Sequence, residues 1–276
     1  MAAERPKTDD LGAKPILSAD GRTLTYGLHP QRRVGDSELI AALDAIPSPE
    51  ANGYFLHQGV YYAKTIAKPD GSNRAFGDGT RIVEGTVYWF ECEPIQWRIL
   101  SARDGVCLAL SERVLDARAF DGRENDYAAS AIRAWLNGEF AQRAFGLGDT
   151  AIMLTEVDNG ATTTDSPDNH CVWGNTKDRV FLPSYRDYLE PSFGFGESAE
   201  ESPSRYAKTT DWARARGAWH NAFRGGCEHN GIYWTRSPYD GDSCYAWAIH
   251  DDGCLGYRFV CEADHGVRPA ITVKID

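Results

Sequence analysis

The sequence has little methionine and no closely spaced cysteine pair. Two of its 276 residues are Met and seven are Cys. The cysteines stand at positions 92, 107, 171, 227, 244, 254 and 261. Without a C-x-x-C pair, both a zinc ribbon and a thioredoxin-like motif are disfavoured. An odd number of cysteines at irregular spacing indicates free thiols rather than a disulfide framework.

Long apolar runs are also missing. No window approaches the roughly 18 apolar residues that a membrane span requires. The opening residues, Met1 to Pro6, lack the apolar core of a signal peptide. We therefore expect a chain without a membrane span that is cytoplasmic as it stands, or at the surface or secreted if a native leader is missing.

Acidic residues outnumber basic residues in this sequence. Lys and Arg total 29 against 40 Asp and Glu, which gives a formal net charge of −11. The densest basic stretches, at Arg32–Arg33 and around Arg214, Arg216 and Arg224, form no stripe. Because an acidic surface repels phosphate backbones, we expect no nucleic-acid partner.

The sequence offers no established catalytic motif. Gly-x-Ser-x-Gly and Gly-x-x-x-x-Gly-Lys are both absent. The long loop from Asp158 to Asn175 holds three carboxylates, those of Asp158, Asp165 and Asp168, that could bind a hard cation, although solvated loop acids are the simpler interpretation. A zinc site would have to be assembled from irregularly spaced residues, namely His170, Cys171, His220, Cys227 and His229. We therefore predict no catalytic residue, no metal ligand and no cofactor.

Aromatic residues, at 12%, are abundant, with eight Trp and thirteen Tyr. Trp89, Trp97 and Trp135 lie in apolar periodic segments and are expected in the core. Trp234 and Trp247 stand near or within an irregular polar stretch. They are expected in the core, with support of a binding surface from beneath as the alternative.

The pattern of elements predicts an α+β protein with short strands, few helices and long irregular loops. The predicted helices are 37–46, 130–136 (ended by Asn137–Gly138) and 211–223. The main predicted strands are 23–26, a hairpin over 54–65, 86–92 and 95–100 (separated by Glu93–Pro94), 106–110 and a closing strand 267–275. We expect a flexible leader over 1–20, a small mixed N-terminal region over 21–80 and a main domain over 81–276.

Several segments resemble, in order along most of the chain, a bacterial family known only as a domain of unknown function. They include Thr25–Gln31, Tyr88–Phe90, Glu93–Leu100, Ser130–Asn137, Thr155–Asn159, Val180–Ser184, Tyr233–Pro238 and Gly266–Ala270. That family has no assigned chemistry.

The C-terminal half is also similar to the closing segment of C-type-lectin-like folds. The similarity is carried by Arg236–Ser237, a variable loop region and then Gly266–Val267–Arg268–Pro269–Ala270. The branch concerned includes formylglycine-generating enzymes and the variable proteins of diversity-generating retroelements. The resemblance implies a C-type-lectin-like domain whose last strand lies in the core and whose preceding irregular stretch forms an exposed binding face. If Arg268 is buried in that strand, we expect it to form a structural salt bridge.

In such variable proteins, adenine-directed mutagenesis of Asn codons places Asp, Ser, Tyr, His, Cys, Arg and Phe in the exposed loops. Residues of these types make up 16 of the 27 positions in 239–265, and Asn does not occur after Asn230. Trp247 and Glu262 do not derive simply from Asn codons and would be framework. The expected ligand-binding residues are Tyr239, Asp240, Asp242, Ser243, Cys244, Tyr245, His250, Asp251, Asp252, Cys254, Tyr257, Arg258, Phe259, Cys261, Asp264 and His265. The alternative is an ordinary β-meander with incidental cysteines.

The resemblance thus implies a recognition protein for a protein or other ligand, and not an enzyme. Two alternatives stay open at this point. One is a formylglycine-generating-type oxidase that uses clustered cysteines such as Cys244, Cys254 and Cys261. The other is a structural module of a larger surface assembly.

Overall fold

The computed structural model describes residues 14–71, 74–146, 148–160, 171, 173–223 and 225–275. Most of the predicted leader, together with Asp165, Asp168 and His170, lies outside these ranges. The strands are β1 (Ile16–Leu17), β2 (Thr23–Arg33), β3 (Phe55–His57), β4 (Val60–Ile66), β5 (Val87–Arg103), β6 (Val106–Ser111), β7 (Asp116–Ala117), β8 (Thr155–Val157), β9 (Thr176–Asp178), β10 (Val180–Phe181), β11 (Tyr233–Pro238), β12 (Tyr245–Ile249), β13 (Leu255–Phe259), β14 (Gly266–Val267) and β15 (Ala270–Lys274). The α-helices are α1 (Ser37–Asp44), α2 (Ala131–Trp135), α3 (Ala141–Phe145) and α4 (Asp211–Ala215).

The described chain is mixed α/β, with mostly strands, few helices and curled sheets. The main sheet has the order β1-β2-β5-β6-β15-β10, and the β3–β4 hairpin attaches to β5. Because β2 and β4 precede residue 80 and β5 follows it, one sheet contains both of the predicted regions. The domain division at residue 80 stays a prediction.

The predicted break at Glu93–Pro94 is wrong. Strand β5 runs through it without interruption from Val87 to Arg103. Leu28 of β2 lies opposite Pro94, next to the irregularity in β2 between Thr25 and Leu28. A bulge of this kind lets a strand accommodate a proline that cannot donate to the ladder.

The second sheet has the order β13-β12-β11-β14-β7. The predicted closing strand over 267–275 is divided between the two sheets, since Val267 belongs to β14 and Ala270 begins β15 in the main sheet. The chain therefore crosses from one sheet to the other at Arg268–Pro269. Trp97 of the main sheet and Trp234 of the second sheet are fully buried in the same core cluster, which confirms their core assignment.

Two helix boundaries were predicted wrongly. Asn137–Gly138 does not end the helix, because a single π turn over Leu136–Phe140 connects α2 to α3. The Asn137 side chain accepts from the backbone N–H of Arg179 and donates to the carbonyl of Val180, and it thereby holds this turn against β10. The helix predicted over 211–223 stops at Ala215, and Gly217 follows with a positive φ of 112° where any Cβ would lie 3.0 Å from the Lys68 carbonyl oxygen.

The salt bridge expected for Arg268 is also wrong. The side chain is 1% exposed, and in the described chain its partners are neutral oxygens. Its Nε donates to the Ser111 carbonyl at 2.8 Å, and its Nη1 donates to the Tyr233 hydroxyl at 2.9 Å and the Arg205 carbonyl at 3.3 Å. This guanidinium therefore joins β6 of the main sheet to β11 of the second sheet.

Candidate functional site

Strands β12 and β13 carry a row of aromatic side chains on one side. Ala246 and Ala248 of β12 are completely buried, whereas Tyr245 and Trp247 alternate with them and remain half-buried. On β13, the ring-bearing residues are Tyr257 and Phe259, which pair in register with Trp247 and Tyr245. This alternation follows from the two-residue period of a strand.

Two rings from elsewhere complete the row. Tyr239 follows β11, and Tyr185 follows β10. We call the resulting surface the aromatic face, and it consists of Tyr185, Tyr239, Tyr245, Trp247, Tyr257 and Phe259.

The rings of the aromatic face contact one another throughout. Tyr245 and Phe259 have centroids 4.2 Å apart, and Tyr239 stacks on Tyr257 at 4.2 Å with an interplanar angle of 27°. Tyr185 meets Trp247 edge-on at 4.7 Å. Such pairs contribute about 0.5–1.5 kcal/mol beyond area burial, so the rings stabilise each other's positions. Even so, Tyr257 and Phe259 remain 44% and 46% exposed.

A buried amide fixes the loop beside the aromatic face. The Asn125 Nδ2 donates to the carbonyls of Tyr239, Asp242 and Tyr245 at 3.2, 3.3 and 2.7 Å. Its Oδ1 accepts from the indole of Trp173 at 3.1 Å. The β11–β12 loop, with Asp242, Ser243 and Cys244 exposed, is thus held at the rim of the rings.

Sequence reasoning missed Asn125 and Tyr185. Asn125 supports the β11–β12 loop and Tyr185 extends the aromatic face, and both lie more than fifty residues from that loop in the sequence. No local pattern marks either residue, because their contacts depend on the tertiary fold.

The sixteen predicted binding residues separate into three places. Eight lie on the aromatic face or in its adjoining loop, although Asp240 is only 9% exposed: Tyr239, Asp240, Asp242, Ser243, Cys244, Tyr245, Tyr257 and Phe259. Four occupy the β12–β13 turn at the far end: His250, Asp251, Asp252 and Cys254. The remaining four are Arg258, whose register partner is the buried Ala246, and Cys261, Asp264 and His265, which follow β13.

Two of the separated groups have structural contacts of their own. Asp251 accepts from the Asn221 amide at 2.6 Å, which ties the β12–β13 turn to the preceding loop. His265 is 3% exposed and stacks on Trp234 at 4.6 Å. The structure therefore brings half of the predicted set, together with Tyr185 and Trp247, into one surface.

Of the three cysteines that an oxidase of the formylglycine-generating type would use, Cys244 lies beside Cys261, since the Cys244 carbonyl accepts from the Val260 N–H at 2.9 Å. Cys254 lies beyond the other end of β13, and all seven cysteines, which lie in the described ranges, are free. Burial and the hydrogen bond with Asp252 raise the pKa of Cys254 to about 11. The hydrogen bond with Asp242 raises the pKa of Cys244. A reactive thiol needs a lowered pKa, so this geometry does not favour thiol chemistry.

Donor groups for a metal are sparse in the described ranges. Glu262, Asp264 and His265 offer three ligand atoms within 4.8 Å of one another. The His265 Nδ1 is 2.8 Å from the Asp264 carboxylate, so part of this group is already engaged. Of the predicted zinc residues, His220 and His229 have ring centroids 6.4 Å apart, and the Cys227 thiol donates to the Tyr206 hydroxyl.

Comparison with known proteins gives one match. Residues 104–275 match a family model described as Domain of unknown function (DUF6273). No curated protein and no solved structure matches the chain. Within the residues that the structure describes, no helix combines the length and apolar character that crossing a membrane requires. Because the matched segment spans more than half of the 276 residues, the predicted membership of a family of unknown function is confirmed, and the chain belongs to the DUF6273 family.

Proposed function

We propose that the protein is a recognition protein that binds a polypeptide partner through the aromatic face. The observation that carries this proposal is a contiguous set of six rings, of which Tyr257 and Phe259 are nearly half exposed. The opposite side of β12 is buried against the core through Ala246 and Ala248. An exposed aromatic patch on an otherwise closed core is typical of an interaction site.

The chemistry of the face fits a polypeptide. Tyr and Trp provide large contact areas at a low cost in conformational entropy, and they dominate binding energy where they pack against a partner. Asp242 and Ser243 at the rim supply exposed polar groups that can accept or donate hydrogen bonds. The net charge of −11 continues to disfavour nucleic acid as the partner.

The more specific part of the proposal is a C-type-lectin-like scaffold whose face is diversified by a retroelement. Support comes from β15, which pairs with both β6 and β10 and buries Ala270, Ile271 and Val273. The aromatic face precedes this strand, as the resemblance implies. Four of its six rings, at positions 239, 245, 257 and 259, are Tyr or Phe of the predicted variable set. The cytoplasmic location expected from the sequence stays a prediction.

The recognition proposal is tested by selecting ligands without presuming their identity. A phage-displayed library of random peptides is selected against the wild type, and the recovered clones are assayed on Tyr257→Ala/Phe259→Ala. We expect the clones to lose at least tenfold in affinity on this variant, since aromatic truncations at a contact centre cost about 2 kcal/mol or more. The melting temperature should fall by only a few degrees, because both rings are already nearly half exposed.

Phe223→Ala is the matched control. Phe223 is 89% exposed and is not part of the aromatic face. Clones that bind the double variant as tightly as the wild type, or that lose binding equally on Phe223→Ala, would show that the aromatic face is not the preferred recognition surface.

Diversification has a separate test in the DNA that flanks the gene. We expect a reverse-transcriptase gene and a near-copy of the codons for residues 239–265 that differs only at adenines. The mismatches should include the codons for 245, 257 and 259. If the complete flanking sequence contains no such copy, diversification by a retroelement is ruled out, and the recognition test is not affected.

A further inference from the structure

A second site lies away from the aromatic face, where β2 meets α2, α3 and α4. It is a cavity of about 160 Å³, and its wall includes His29, Asp116, Arg118, Trp135, Arg143 and Arg216. His29, Tyr54 and Lys64 come from the segment before residue 104, and the other charged residues of the wall come from the matched family region. None of these residues belongs to the aromatic face.

Arg118 has the most unusual surroundings in this cavity. Its guanidinium carbon stacks 3.9 Å from the centroid of Trp135. The side chain is partly buried, its Nε is inaccessible to solvent, and that atom has no hydrogen-bond partner in the described chain. The described salt bridges and side-chain hydrogen bonds do not include this guanidinium. Burying a cation without an acceptor is costly, and this cost is removed when an anion binds.

Two further arginines face the same cavity. Arg143 lies over the Tyr54 ring at 4.6 Å and pairs with Glu139 at 3.1 Å. Its Nε, like that of Arg118, is buried without a hydrogen-bond partner in the described chain. Arg216 lies 5.9 Å from the Trp212 centroid. Each arginine is thus held against an aromatic ring, which orients its guanidinium group. Arg143 donates to Glu139 and to the Gly53 carbonyl, and Arg216 donates to Asp116, so Arg118 is the arginine of this cavity whose donors stay unengaged in the described chain.

The two acids in the wall are each paired with another arginine and not with Arg118. Asp116 accepts from the Trp212 indole at 3.1 Å and from Arg216 Nε at 3.3 Å. Glu139 is engaged by Arg143. Burial lowers the pKa of His29 to about 4, so this side chain is neutral near pH 7. Three guanidinium groups and the Lys64 ammonium group against two carboxylates leave the cavity wall with excess positive charge, in a chain whose overall charge is −11.

We infer that this cavity binds a small oxyanion, as a phosphate or carboxylate group, with the Arg118 guanidinium as its principal donor. Arginine presents a planar fork of donors that matches both groups, and the aromatic walls restrict the site to a small ligand. This inference goes beyond the proposed recognition function, because an anion can occupy the cavity when no partner is bound to the aromatic face.

The test follows the arginine Nε–Hε resonances of ¹⁵N-labelled protein during titration with inorganic phosphate, and separately with acetate, at ionic strength held constant with chloride. The Arg118 resonance is assigned by its loss in Arg118→Lys. We expect at least one of the two anions to shift this resonance saturably, with millimolar or tighter affinity. Arg118→Met should weaken binding at least tenfold, and Arg118→Lys should weaken it less, because lysine retains the charge but loses the fork.

Arg103→Met serves as the matched control, because Arg103 is an exposed arginine at the end of β5. It should bind both anions as the wild type does. The anion that binds more tightly identifies whether the natural ligand carries phosphate or carboxylate. The inference is overturned if neither anion shifts the wild-type Arg118 resonance saturably up to about 50 mM, or if Arg118→Lys and Arg118→Met bind with unchanged affinity. The wild-type titration tests whether an oxyanion binds at Arg118 even if Arg118→Met fails to fold.

Discussion

Replacing Arg268 with methionine is expected to lower the free energy of unfolding by about 3–5 kcal/mol, one of the largest losses available to a single substitution in this chain. The substitution removes the donor for three acceptors: the Ser111 carbonyl, the Arg205 carbonyl and the Tyr233 hydroxyl. Methionine fills much of the space but cannot donate. The Ser111 carbonyl loses the guanidinium donor, and a buried polar group left unsatisfied costs about 1–3 kcal/mol. The Arg205 carbonyl keeps the Tyr233 hydroxyl as a donor, so the rest of the loss comes from the missing bond to that hydroxyl and from the guanidinium that packed over the Tyr233 ring at 5.2 Å.

Urea denaturation at neutral pH measures this loss. Arg103→Met provides the baseline for exchanging arginine for methionine at an exposed position, and it should change stability by less than about 0.5 kcal/mol. If Arg268→Met were destabilised by less than 1 kcal/mol relative to this baseline, the link between the two sheets would not depend on the guanidinium.

Replacing Gly253 with alanine is expected to destabilise the protein by about 2–4 kcal/mol and to displace the turn between β12 and β13. Gly253 has a φ of 80°, and an added Cβ would lie 2.2 Å from the Ser202 carbonyl oxygen. Hydrogen bonds hold both the Ser202 segment and the Gly253 turn in place, so neither can move away easily. Ser202 N–H donates to the Asp252 carbonyl at 3.2 Å, and Arg205 Nε donates to the Gly253 carbonyl at 2.6 Å.

Gly59→Ala separates the backbone strain from the steric overlap. Gly59 has a φ of 78° in the β3–β4 hairpin, and no atom lies within 4 Å of the position that its Cβ would take. It should lose only about 1 kcal/mol, the usual cost of a left-handed backbone for a residue with a Cβ. Equal losses at the two glycines would mean that Ser202 does not confine the turn.

The elements predicted best from the sequence are those that local patterns specify. The predicted hairpin over 54–65 was confirmed because short apolar runs, 54–56 and 60–63, flank the turn at His57–Gln58–Gly59, and Gln58 and Gly59 both adopt positive φ. Helix α1 was confirmed because Asp36 accepts from the N–H groups of Glu38 and Leu39. Both signals act within a few residues along the chain.

The errors occurred where distant contacts outweigh local preference. Pro94 was expected to end a strand, but β2 adjusts its register to accommodate it. Asn137 was expected to end a helix, but its side chain is bonded to the backbone of Arg179 and Val180. Such partners lie forty or more residues away, and a local pattern cannot reveal them.

The candidate sites show the same limit. The rings of β12 and β13 lie in a segment that the sequence marked by composition, and strand alternation then separates Tyr257 and Phe259 from Arg258. Tyr185 is distant in sequence from the other rings of the aromatic face, and the three cavity arginines are distant in sequence from one another. At each of the two sites, only the fold brings the residues together. Composition could therefore locate four of the six rings of the aromatic face, and it gave no indication of the cavity.

The most direct measurement of the recognition face is hydroxyl-radical footprinting of the wild type with and without one selected peptide. We predict that oxidation of Tyr257 and Phe259 falls several-fold in the complex. Oxidation of Phe223, the 89% exposed internal reference, should be unchanged. If the peptide binds and the oxidation of Tyr257 and Phe259 is unaltered, the partner contacts another surface and the central claim is contradicted.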